Sequence, residues 1–100
     1  MNDPMKKSAY RLARKNYKEA YLKTYTDLDA RYSYLGFDVV QDTALRAFKL
    51  HIAAVELGEK MSIPSITHEK AQEILEAQFP EFPSKVRDEA LNSAYAEALR

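Results

Sequence analysis

Residues 38–57 read DVVQDTALRAFKLHIAAVEL, and this stretch decides the fold. Val39, Val40, Leu45, Phe48, Leu50, Ile52, Val55 and Leu57 cover most of a helical circumference. They leave a narrow polar strip of Asp42, Arg46, Lys49, Glu56 and Lys60. A helix that is apolar nearly all round is packed on several sides, so this segment is expected to be the hub of a helical bundle. Asp38, with Gln41 three residues on, resembles a capping box that opens it. Asp42 and Arg46 stand at the spacing of an ion pair along one helix. Full burial of Phe48 would make Phe48→Ala cost about 3–5 kcal/mol.

Upstream, Asp3-Pro4 is a helix-start signal, and Gly36 is the first strong stop. Tyr10, Tyr17, Tyr21, Tyr25, Leu28, Tyr32 and Leu35 recur at spacings of three, four and seven on one face. An unbroken helix over 4–35 would be about 48 Å long, against roughly 33 Å for a compact domain of this length. The helix therefore either overhangs the body at its cationic end or breaks, and Thr24–Asp27 is the expected break because threonine lowers helix propensity. In the overhanging case Tyr10 and Tyr17 are exposed, whereas Tyr21, Tyr25 and Tyr32 belong to the core.

Downstream, Gly58 and residues 62–65 form the next connection. Thr67 caps a helix whose inward positions are Ala71, Ile74, Leu75 and Phe79. Pro80 and Pro83 interrupt helix continuation, and Phe79 and Phe82 around them plug the core. Ser84 opens a last helix with Val86, Ala90, Leu91, Ala94, Tyr95 and Ala98 inward. Alternating strand patterns, internal repeats and low-complexity linkers are missing from the sequence. The expectation is one all-α domain over 1–100, a small bundle of four helices, or five if the first one breaks. It has a long N-terminal helix and a central, largely buried second helix.

Phe79-Pro80, with Val86 and Leu91 downstream, resembles the Phe-Pro and following helix of CUE-type ubiquitin-binding domains. The likeness spans about a dozen residues, and only nine follow Leu91, too few for that family's third helix and terminal di-leucine. It therefore implies no residue roles.

A net charge of zero conceals a division. Through Lys23 the chain carries seven cations against Asp3 and Glu19, a balance of +5; from Thr24 onward the balance is −5. Lys7, Arg11, Arg14, Lys15 and Lys18 crowd like charges at helical spacings, a self-repulsion of about 1–2.5 kcal/mol. Something anionic is expected to relieve it. One source is internal: Glu69, Glu73 and Glu76 repeat the spacing of Arg11, Lys15 and Lys18. Simple solvation of the ridge is the other bland reading.

The outside alternatives are an acidic protein surface, a nucleic-acid backbone read by cations and stacked tyrosines, or a second copy paired basic end to acidic helix. The expected contact set is Lys7, Tyr10, Arg11, Arg14, Lys15, Tyr17 and Lys18. Catalytic, cofactor and metal sites are not expected: cysteine is absent, the two histidines lie seventeen residues apart, and two glycines make no phosphate loop. His51 is read as a neutral core histidine hydrogen-bonded to a tyrosine hydroxyl, and His68 as exposed. The expected role is that of a non-enzymatic inhibitor or adaptor of the kind phages and mobile elements make. Neither a secretory leader nor a membrane span is evident, which points to the cytoplasm.

Overall fold

The structure, a computed structural model, describes residues 3–19, 21–63 and 65–100. The side chain of Asp3, and with it the expected cap, lies outside the described residues. The fold is all-α, with α1 at Asp3–Lys15, α2 at Tyr21–Tyr32, α3 at Phe37–Ser62, α4 at His68–Gln78 and α5 at Ser84–Ala98. A 3-10 turn, Ser33–Leu35, joins α2 to α3. The chain measures 43 × 26 × 15 Å with a radius of gyration of 13.4 Å.

The expected hub is α3, which touches all four other helices. Gly36, at φ +97°, makes the left-handed step out of the 3-10 turn and immediately precedes the hub. No side chain caps α3, so Asp38 lies in its first turn instead of opening a capping box. The helix runs through Gly58 to Ser62, five residues past the expected end. Its buried edge is Val40, Ala44, Ala47, His51, Ala54, Gly58 and Met61, a strict alternation of four and three. Most of these residues are small, which lets helices approach closely. At Gly58 an added Cβ would lie 2.7 Å from the backbone carbon of Ala94 on α5. The larger apolar residues divide: Leu50 and Leu57 are buried beside this edge, whereas Phe48 is half-buried, and Val39 and Ile52 are exposed. The large penalty expected for Phe48→Ala therefore does not apply.

The first helical run breaks, but at Asn16–Glu19 and not at Thr24–Asp27. Asn16 donates its side-chain amide to Asp27 at 3.1 Å, which fastens the turn onto α2. Both threonines stay inside the helix. Thr24 is fully buried, and the Thr26 hydroxyl donates to the Leu22 carbonyl one turn back at 2.8 Å. Because the chain turns here, no cationic arm overhangs. Met5, Ala9, Tyr10 and Ala13 are buried as α1 packs on α3 and α5.

Thr67 caps α4, accepting the Lys70 amide at 3.1 Å. Ser84 makes no cap; Pro83 precedes α5 and leaves its carbonyl to the Val86 and Arg87 amides. Phe79 and Phe82 do plug the core, edge to face with centroids 6.3 Å apart. Arg46 leaves Asp42 and reaches across to this loop. It donates to the Gln78 carbonyl at 2.6 Å and to Glu81 at 3.0 Å, and its guanidinium lies 4.5 Å from the Phe79 ring centroid. Lys6 donates to the Glu81 carbonyl at 2.7 Å, so the same loop also holds α1. No described helix is long and apolar enough to cross a membrane.

Candidate functional site: a cationic groove beside the first turn

The ridge on α1 is divided by its packing. Arg11 lies across from Glu89 on α5 and donates from Nε at 3.1 Å and from Nη2 at 3.0 Å. This two-pronged contact holds the Glu89 carboxyl below the ordinary carboxylate range, with Arg14 and Lys7 adding to the effect. Arg14 donates to the Ser93 hydroxyl at 2.8 Å and stands 4.0 Å from Glu89. Two of the expected contact residues thus have carboxylate partners in the same chain, although not the partners anticipated. Glu73 instead pairs with Lys70 at 3.7 Å and Glu76 with Arg87 at 3.9 Å.

Tyr10 is removed from the surface altogether. Its ring is only 1 % exposed, with the Arg14 guanidinium 5.5 Å from the ring centroid. Burial raises the pKa of its hydroxyl, and the nearby Arg14 charge opposes that shift. The outward contact expected of Tyr10 is therefore replaced by a place in the core. Lys7, Lys15, Tyr17 and Lys18 are exposed. The three lysines make no ion pair among the described residues.

Lys15, Tyr17 and Lys18 stand at the mouth of a groove of about 750 Å³ between the α1–α2 turn, α3 and the end of α5. It is lined by the apolar Val55, Ala90, Ala94 and Ala98 and by Tyr10, Arg14, His51 and Ser93. Glu59, Glu97 and Arg100 complete the far rim, where Arg100 pairs with Glu97 at 3.2 Å. Tyr17, 48 % exposed, stacks on His51 with centroids 5.0 Å apart and planes tilted by 49°. His51 therefore meets a tyrosine ring where a hydroxyl was expected.

His51 Nε2 is buried without a hydrogen-bond partner among the described residues, and Tyr10 Oη is buried beside the Ser93 hydroxyl and the Arg14 guanidinium without a well-aligned bond to either. Burial, and secondarily the Arg14 charge, lowers the His51 pKa and keeps the ring neutral at pH 7. Tyr10 likewise keeps its proton. Neutral groups in these walls can recognise a polar edge, while the lysines at the mouth supply the charge.

Glu89 and Ser93 are the participants that sequence reading missed. They immediately precede the buried Ala90 and Ala94, so they border the packed face of α5. That border is where a polar side chain can reach a neighbouring helix. Among the described residues, no group of three or more His, Asp or Glu side chains is placed to hold a metal ion.

Fold and site together define a small all-α protein with a cationic groove lined from α1, the turn after it, α3 and α5. No family model matches the chain, and neither the curated proteins nor the solved structures contain a match to it.

Proposed function

We propose that the protein is a non-enzymatic interaction module, of inhibitor or adaptor type. It binds an acidic surface of a macromolecular partner at the corner carrying Lys15, Tyr17 and Lys18, with Lys7 along the same helix. Arg11 and Arg14 are structural in this reading, since they fasten α1 to α5 through Glu89 and Ser93. The supporting observation is the contrast between these paired arginines and the lysines, which make no ion pair among the described residues. Bringing a carboxylate to such a cluster relieves like-charge repulsion and needs no displacement of an existing pair. Tyr17 beside them adds a rigid amphipathic ring of the type favoured at binding hot spots.

The test is capture from a nuclease-treated lysate by the tagged protein and by Lys15→Glu/Lys18→Glu. Wild type is expected to retain a partner that the double variant loses, with both showing the same thermal melt. Equal capture by both would defeat the assignment. Loss of the wild-type signal on nuclease treatment would transfer the surface to nucleic acid.

A further inference from the structure

Building on the docking corner just proposed, we infer that the groove behind it is a peptide site, taking an aromatic side chain from an acidic segment of the partner. The groove, about 750 Å³ and open to solvent along one side, has room for an aromatic side chain. Val55 and Ala94, with the faces of the Tyr17 and His51 rings, offer an apolar bed for an aromatic ring. His51, 8 % exposed, and Tyr10 line the same groove; His51 Nε2 has no partner among the described residues, and Tyr10 Oη has only the poorly aligned Ser93 and Arg14 beside it. A main-chain amide brings both an N–H donor and a C=O acceptor. It can therefore serve the Tyr10 hydroxyl and either tautomer of neutral His51 once a bound segment uncovers these two buried atoms.

A phosphodiester offers acceptors only. Its evenly spaced charge would also run from the lysines toward Glu59 and Glu97, two carboxylates that share the lining with the single cation Arg100, itself paired with Glu97. The charges at the two ends of the groove thus favour a short acidic stretch that ends in an uncharged ring. The carboxylates sit at Lys15 and Lys18, and the aromatic residue lies inward.

The probe is the blocked peptide acetyl-Glu-Glu-Phe-Gly-amide, titrated into the full chain and followed by amide NMR. Shifts centred on Tyr17, His51, Ser93 and Ala94 are expected. Binding should weaken about tenfold or more for Ala96→Trp, an exposed position on the groove wall, and for the analogue with glycine in place of phenylalanine. Absence of shifts for the wild-type protein, equal binding of the glycine analogue, or displacement by a short oligothymidylate would overturn the inference. The wild-type titration stands whether or not Ala96→Trp folds. Partner capture separates the two ideas. If Ala96→Trp still captures the partner while Lys15→Glu/Lys18→Glu does not, the groove inference falls and the docking corner stands. If both variants lose it with thermal melts unchanged, and the peptide titration shows the expected shifts, both ideas are supported; if both keep it, both fall.

Discussion

Gly58 is the residue on which a close approach of α3 to α5 depends. A Cβ built there would come within 2.7 Å of the Ala94 carbonyl carbon and 2.8 Å of its oxygen, closer than van der Waals radii permit. Because the obstacle is backbone, no side-chain rotation can relieve it. In an exposed helix, Gly→Ala gains about 1 kcal/mol in propensity. Here overpacking costs typically 1–3 kcal/mol, so Gly58→Ala should be net destabilising by up to about 2 kcal/mol in urea unfolding. A gain in stability would show that α3 and α5 do not approach this closely. The same crowding explains what was legible at this scale and what was not. The hub was readable from the apolar content of 38–57. Its contact edge was less so, because Ala44, Ala47, Ala54 and Gly58 carry little hydrophobic weight yet set the helix separation. Phe48, Val39 and Ile52 are larger, but they fall off that edge.

At the scale of elements, helix ends show how far local signals reach. Thr67 and Ser84 carry the same kind of hydroxyl at the two later helix starts, and only Thr67 bonds a helix amide. Thr67→Ala should therefore cost about 1 kcal/mol, and Ser84→Ala almost nothing, when compared by denaturant midpoint. Equal effects would contradict the assigned starts. The proline before Ser84 already fixes the entry of the chain into α5, which leaves that hydroxyl redundant. The first break was misplaced for a related reason. Threonine propensity pointed to 24–27, but burial of Thr24 and the back-bond of Thr26 hold that stretch helical. The Asn16–Asp27 bond that secures the actual turn joins positions eleven apart, beyond the reach of any one-turn pattern. Glu89, seventy-eight residues from Arg11, is a stronger instance. The candidate site was thus half legible: its cations were evident, while their division into paired arginines and open lysines required the tertiary fold.

For the whole molecule, the groups joining its parts make stability depend on pH in two stages. His51 titrates below its ordinary 6.5 because burial, aided by Arg14, disfavours the charged ring. As pH falls through 6.5 the unfolded chain takes up a proton that the folded chain refuses, so stability begins to decline there. The decline levels off once the lowered folded value is passed. Glu81 and Glu89 lie below their ordinary 4.5, held there first by hydrogen bonds from Arg46 and Arg11 respectively. Their contribution is complete above 4.5 and is lost as the pH drops through the lowered values. These carboxylates fasten the Phe79–Pro83 loop to α3 and α5 to α1, so the second stage loosens the bundle at both places. Urea unfolding from about pH 7 to pH 3 should accordingly show an upper limb that His51→Leu flattens and a lower limb that Glu89→Gln makes shallower. If His51→Leu leaves the upper limb unchanged, the ring is not held neutral by its burial between Tyr17 and the groove, and its role as a neutral wall fails with it. If Glu89→Gln leaves the lower limb unchanged, the Arg11 contact is a solvated surface pair, and Arg11 rejoins the lysines as a cation open to a partner.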